Sequence, residues 1–359
     1  MNRKIKVLVI DDSAVVRKIL SSRLSTYKDI EVVGTAADPF IARNKILQLK
    51  PDVLTLDVEM PKMDGLTFLH KLMTYYPIPT IMVSSLTQEG CDTTLKALEI
   101  GAIDFVAKPT SRLSSDVGDV IDELYLKIKA ASIAKLKARQ SLTENTTGYL
   151  RENPPYRNCE NGHNYTIFKG TQKIVVIGAS TGGTEALKEV LTKMPPDAPG
   201  IAIVQHMPET FTKAFAERLN SLCAIKVKEG KNGDSLIQGQ AILAPGNYHM
   251  CLRRSGAMYH IETNQEPAIH HQRPAVDILF NSAAQYAGIN AIGVIMTGMG
   301  ADGAAGLLKM KEAGAKTVAQ DEDSCVVFGM PKEAIKLGAA DAVVPLQKIP
   351  ATILSLLKN

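Results

Sequence analysis

From Ile5 onward, short apolar runs alternate with stretches of helical period. Val7–Ile10, Glu31–Val33, Val53–Leu56, Thr80–Val83 and Asp104–Ala107 read as strands, and Val15–Leu24 and Ile41–Leu49 as amphipathic helices. Five strands separated by helices predict a doubly wound parallel sheet over residues 1–125, covered on both faces. The rhythm stops after an Ala/Lys-rich helix expected over Leu126–Arg139. Residues 140–170 carry Pro154–Pro155, few aliphatic side chains and no hydrophobic period, and read as a linker.

Strand and helix patterns resume at residue 171 and run to 359. Strands are expected at 201–205, Gln240–Leu243, Thr317–Ala319 and Ala342–Val344, with others opening the segments 173–191 and 291–308. Helices are expected near Pro208–Leu222, Pro274–Tyr286 and Pro331–Leu337, with Pro274 and Pro331 in their first turns. A small antiparallel hairpin carries His260, with His249 beside its partner strand. The whole reads as a second α/β domain built on a parallel sheet.

Charge sharpens this division. The net charge is +4 over 359 residues. Residues 1–125 hold 15 basic and 17 acidic side chains, residues 126–170 hold 8 and 3, and residues 171–359 hold 18 and 17. The basic excess therefore sits in the linker, and both domains are too balanced for a dedicated nucleic-acid binder. The five cysteines form no C-x-x-C pair, which argues against a disulfide framework or structural zinc and fits a reducing, cytoplasmic compartment. The first apolar run ends at two aspartates, too soon for a signal peptide. The uncharged stretch Ala283–Ala301 holds four glycines and reads as a helix end, a strand and a loop, so no membrane insertion is expected.

Polar residues at the strand ends carry the chemistry of the first domain. Asp11 and Asp12 follow the first strand, Asp57 the third, Ser84 the fourth and Lys108 the fifth. In a doubly wound sheet these ends converge on one crevice. Three carboxylates there repel one another unless a hard cation such as Mg²⁺ sits among them, and a lysine and a hydroxyl suit a phosphoryl group. Helix capping by Asp12 or Ser13 explains one such residue but not five. IDDS (10–13), LDVEMPKMDG (56–65), MVSS (82–85) and GAIDFVAKP (101–109) resemble the receiver domain of two-component response regulators. The resemblance implies that Asp57 accepts phosphate from a histidine kinase. It implies Mg²⁺ held by Asp11, Asp12, Asp57 and the backbone carbonyl of Glu59. Ser84, where threonine is commoner, and Lys108 would contact the phosphoryl group, and Phe105 fills the aromatic switch position.

In the second domain, KIVVIGASTGGTEALKEVL (173–191) is a strand, a glycine turn and a helix. It lacks G-x-G-x-x-G and the P-loop G-K-[ST], but residues 178–182 fit G-x-S-x-G, a turn that exposes Ser180. A serine nucleophile needs a base. Of seven histidines, His206 directly follows a buried-looking strand and so falls at the same sheet edge as the serine. His70 lies in the first domain, His163 in the linker, and His270 and His271 open the helix carrying Pro274. Asp302, in a glycine-rich loop after the strand of 291–308, either caps the following helix or orients the base. Asp277, Asp321 and Asp323 are the competing acids.

IGASTGGTEAL, QHMP (205–208) and TGMGADGA (297–304) resemble the catalytic domain of chemotaxis protein-glutamate methylesterases. The resemblance implies a triad of Ser180, His206 and Asp302, with oxyanion donors in the backbone around Thr181 and Met299 and no cofactor for the esterase step. The chain order Ser, His, Asp differs from the α/β-hydrolase order, so the G-x-S-x-G match does not import that fold. With the receiver it implies a phosphorylation-activated esterase. Its substrates would be glutamate methyl esters and certain glutamines on the cytoplasmic helices of chemotaxis receptors, and a chemotaxis histidine kinase would be its phosphodonor. The unphosphorylated receiver would cover the cleft. Two rivals from other classes remain at this stage: a DNA-binding regulator, disfavoured because no helix-turn-helix is recognisable in the second domain, and a silent scaffold, disfavoured by the intact triad.

Overall fold

The strand ends of two parallel sheets organise the molecule. A computed structural model describes residues 3–85, 87–108, 114–135 and 173–358. In the first domain, strands β1 (Ile5–Ile10), β2 (Ile30–Ala36), β3 (Val53–Asp57), β4 (Thr80–Ser84) and β5 (Asp104–Ala107) pair in the order β2-β1-β3-β4-β5. All are parallel. Helices α1 (Ala14–Leu24), α2 (Pro39–Leu49), α3 (Gly65–Tyr75), α4 (Gln88–Ile100) and α5 (Ser114–Ser132) cover the two faces. The expected five-stranded sheet is present. Ser13 caps α1 by accepting the Val16 N–H, and Asp38 caps α2 in the same way.

The helix expected from Leu126 begins twelve residues earlier, so the 125/126 boundary falls inside α5. Polar residues and Gly118 dilute the pattern at its start. Ile121, Leu124, Ile128 and Ala131 nevertheless recur at helical spacing and are buried against the sheet. Residues 136–172, which hold the expected linker, Arg139, Cys159 and His163, lie outside the described residues.

The second domain begins β6 (Ile174–Ala179), α6 (Gly183–Leu191), β7 (Gly200–Gln205), α7 (Glu209–Leu222), β8 (Lys226–Glu229), β9 (Ser235–Leu236) and β10 (Gln240–Leu243). Next come β11 (His249–Ser255), β12 (Met258–Asn264), α8 (Val276–Tyr286), β13 (Ala291–Ile295) and α9 (Ala304–Glu312). β14 (Lys316–Gln320), α10 (Met330–Lys336), β15 (Ala342–Val344) and α11 (Ile349–Leu356) complete it. Seven strands form a parallel sheet in the order β15-β14-β13-β6-β7-β10-β8. The chain builds outward from β6 through β7 on one side and returns to β13 on the other, so a crevice opens at the carboxyl ends of β13, β6 and β7.

Two local expectations are corrected. The hairpin of β11 and β12 gains β9 and becomes a three-stranded antiparallel sheet. The helix expected from Pro274 starts at Val276, so Pro274 is not in its first turn and His270 and His271 do not open it. Those two histidines sit in a loop with φ of 52° and 61°. Among the described residues, no helix is long and apolar enough to cross a membrane.

The two domains share a core. Phe105 of β5 packs its ring on Phe211 of α7, centroids 4.3 Å apart, and both are buried. Glu99 of α4 pairs with Lys188 of α6 at 2.8 Å and with Arg218 of α7. The apolar cluster between them is continuous, running from Leu98 and Phe105 to Phe211, Phe215 and Leu219.

Candidate active site and receiver site

Three adjacent strands deliver three side chains to one point. Ser180 follows β6, His206 follows β7, and Asp302 lies in the loop after β13. The His206 ring bridges the other two: Nδ1 is 3.1 Å from Ser180 Oγ, and Nε2 is 2.8 Å from Asp302 Oδ2. A carboxylate only accepts, so the proton belongs on Nε2, which leaves the Nδ1 lone pair for the serine hydroxyl. The arrangement can therefore draw a proton from Ser180 and stabilise the imidazolium that results.

Asp302 is buried and accepts two further hydrogen bonds, from Val276 N–H at 2.7 Å and Asp277 N–H at 2.9 Å. Its carboxylate thus caps α8, not the helix that follows it in sequence, whose cap is Gly303 without a side-chain bond. That is why α8 starts after Pro274. Burial pushes the Asp302 carboxyl up, but His206 and the two N–H donors outweigh it and hold the group below its ordinary value.

The competing acids and His249 are engaged with other partners. Asp277 accepts the Gly306 N–H at 2.7 Å, and Asp321 holds Ser324 at 2.6 Å. Asp323 is exposed and faces Lys135. His249 is buried, its Nδ1 accepting the Ala275 N–H at 3.2 Å, and serves the architecture.

The cleft above the triad has a volume of about 310 Å³ and is lined by Ser180, Thr181, His206, Met299 and Asp302 together with His270, His271 and Gln272. Among the described residues, no acceptor takes the N–H of Thr181 or Met299, whereas Ser180 N–H is bound to Thr297 O at 3.0 Å. Two free N–H groups beside the Ser180 hydroxyl suit an oxyanion. Gly300 and Ala301 also line it, and a further wall comes from the receiver: Glu123, Leu126 and Lys127 of α5. Receiver Asp104 accepts a buried 2.6 Å hydrogen bond from the Thr181 hydroxyl while also pairing with Lys127 at 3.0 Å. Sequence reasoning missed Asp104, whose partner is 77 positions away, and the His270–Gln272 wall.

At the receiver's own strand ends, ligand oxygens of Asp11, Asp12 and Asp57 lie within 4.8 Å of one another. Lys108 Nζ donates to Asp57 Oδ2 at 2.6 Å, and Glu59 N–H to Asp57 Oδ1 at 3.1 Å. Burial first, and the Asp11 charge, push Asp57 up to about 6 against the pull of Lys108. Asp11 is likewise raised by burial, and its buried Oδ2 has the Lys108 ammonium 3.6 Å away. Three carboxylates facing a single lysine in an all-oxygen cluster fit a hard divalent cation. The Ser84 hydroxyl donates to Gly90 O at 3.2 Å. The Phe105 ring packs on Phe211 of the second domain.

Known proteins share this organisation. The family model "CheB methylesterase" matches residues 175–353, and "Response regulator receiver domain" matches residues 7–115. A protein-glutamate methylesterase/protein-glutamine glutaminase 2 of Syntrophus aciditrophicus is 60% identical over 346 residues, 96% of this chain and 97% of that protein. A Nitrosomonas europaea protein of the same description is 52% identical over 355 residues, 98% and 96% of the two chains. The crystal structure of the Thermotoga maritima CheB methylesterase catalytic domain superposes with a TM-score of 0.51 at 41% identity, covering 52% of this chain and all of that one. With a receiver, a Ser-His-Asp site and relatives matched along almost its whole length, the chain belongs to the CheB family of protein-glutamate methylesterases/protein-glutamine glutaminases.

Proposed function

We propose that the protein removes methyl groups from glutamate γ-esters, and ammonia from certain glutamines, on the cytoplasmic helices of chemotaxis receptors, and that phosphorylation of Asp57 releases this activity. The observation that carries the reading is the His206 ring bridging Ser180 and Asp302 in a cleft walled by the receiver. Ser180 Oγ attacks the γ-carbonyl as His206 Nδ1 takes its proton, and the Thr181 and Met299 N–H groups receive the oxyanion. His206 returns the proton to departing methanol or ammonia. Water, deprotonated by the same nitrogen, then frees the glutamate from Ser180. Asp302 keeps the imidazole in the required tautomer throughout.

The receiver supplies the control. Asp11, Asp12, Asp57 and the Glu59 carbonyl would hold Mg²⁺, which when bound neutralises charge on the incoming phosphoryl group. Lys108 pairs with Asp57 and Ser84 lies on the neighbouring strand, so both can meet the phosphoryl oxygens. With Asp104 gripping Thr181 and Phe105 seated on Phe211, the unphosphorylated form is closed. Phosphodonor from a chemotaxis histidine kinase shifts the population toward an open form. The test is methanol release from methylated receptor membranes with and without acetyl phosphate. Wild-type release rises with phosphodonor, Asp57→Ala release does not, and Ser180→Ala releases none. Release from Ser180→Ala at the wild-type rate would overturn the nucleophile assignment.

A further inference from the structure

The QHMP segment holds a residue that the triad does not use. Gln205, the last residue of β7, is 3% exposed and pairs in register with Ala179, the residue before the nucleophile. Its Nε2 donates to Ser180 O at 2.9 Å and to His206 O at 3.2 Å. One amide therefore places its two N–H bonds on the main chains of the nucleophile and the base. The orientation is dictated by chemistry, because the flipped amide would point its oxygen at two carbonyl oxygens.

The remaining atom of this group makes the device specific. Gln205 Oε1 is buried with no hydrogen-bond donor, an expensive state for a polar atom. It abuts residue 183, where a Cβ would lie 2.1 Å from it. Glycine at 183 is thus the space that lets the amide reach both carbonyls. The Ser180 carbonyl accepts a second bond from Gly183 N–H at 2.7 Å, so the nucleophile turn is pinned from the helix and from the neighbouring strand together.

We infer that Gln205 is a positioning residue for the hydrolytic step, acting through its paired hydrogen bonds to the Ser180 and His206 carbonyls to fix the distance between Ser180 Oγ and His206 Nδ1. The inference rests on the reading of Ser180 and His206 as nucleophile and base. A misplacement of about 1 Å between reacting groups costs on the order of a hundredfold in rate.

The experiment uses the full-length, acetyl-phosphate-treated enzyme on methylated receptor membranes. Gln205→Met, of similar length but without donors, lowers kcat about 10- to 100-fold with KM changed less than about twofold. Gln205→Glu regains one donor only when its carboxyl is protonated. Its activity relative to wild type rises as pH is lowered from about 8 to about 6. This ratio is read on folded Gln205→Glu against wild type and stands even if the Met variant does not fold. Wild-type kcat in folded Gln205→Met, or a flat Glu-to-wild-type ratio across pH, overturns the inference while an inactive Ser180→Ala leaves the triad reading intact. Hydrolysis by Ser180→Ala overturns both.

Discussion

Asp302 shows how much one carboxylate holds together. Its oxygens take the His206 Nε2–H and the first two N–H groups of α8, so the imidazole and the helix start share an acceptor. Asp302→Ala is expected to lose about 1 kcal/mol of stability from the cap and about 10⁴-fold in kcat from the unanchored imidazole. Asp302→Asn keeps one acceptor oxygen. It should lose a comparable factor in kcat but less in melting temperature, so parallel kinetics and thermal melts separate the two roles. Asp57 offers a pH test. Its native value near 6 exceeds the ordinary 3.8, so between those limits the folded state holds a proton that the unfolded chain has released. Stability contributed by this site therefore falls as pH rises from about 4 to about 6. Wild type should lose stability relative to Asp57→Asn across that window, with Mg²⁺ offsetting the loss at the upper end. The strand ends carrying Ser180, His206 and the acidic cluster were legible in the hydrophobic pattern, whereas the choice of Asp302 over Asp277, Asp321 and Asp323 came only from the resemblance of its motif. Gln205 was not legible, since what distinguishes it is a bond to a carbonyl 25 residues away.

At the scale of elements, the buried inner strands were read to within a residue or two, because they are near-continuous apolar runs between polar punctuation, whereas the polar edge strand β8, the two-residue β9 and the ends of β2 were not. Helix starts were harder. α5 opens through polar residues around Gly118, and its apolar spacing emerges only from Ile121. α8 starts where a carboxylate from a distant loop caps it, and no local signal marks the place. The turn into α6 depends on two glycines: Gly182 takes φ of 77°, a left-handed conformation, and Gly183 leaves room for the Gln205 amide. Gly183→Ala should push that amide off both carbonyls. A loss of at least tenfold in kcat is expected, with a melting temperature lowered by several degrees, checked by steady-state kinetics and calorimetry.

Across the whole molecule, the contacts between receiver and catalytic domain include the Thr181–Asp104 bond, the Glu99 ion pairs, the Phe105–Phe211 ring pair and, just past α5, Lys135 N–H on Val326 O. The buried Thr181–Asp104 bond is worth about 1–3 kcal/mol if broken without replacement, whereas the partly exposed Glu99 pairs with Lys188 and Arg218 contribute about 1 kcal/mol or less. Asp104→Ala should therefore raise methanol release without phosphodonor more than Glu99→Gln does, and an unchanged basal rate in both would reject the closed-form reading. The ring pair has a consequence for the other direction of control. Phe105 is held by Phe211, and any change at Asp57 that requires Phe105 to move must first part the rings. Coupling free energies are reciprocal. On the proposed reading, by whatever factor phosphorylation favours undocking, docking must disfavour the phosphorylated state, so the catalytic domain would act as an antagonist of its own activation signal. A receiver freed of that domain should hold its phosphoryl group, or a phosphate mimic such as beryllofluoride, more tightly than the intact chain does.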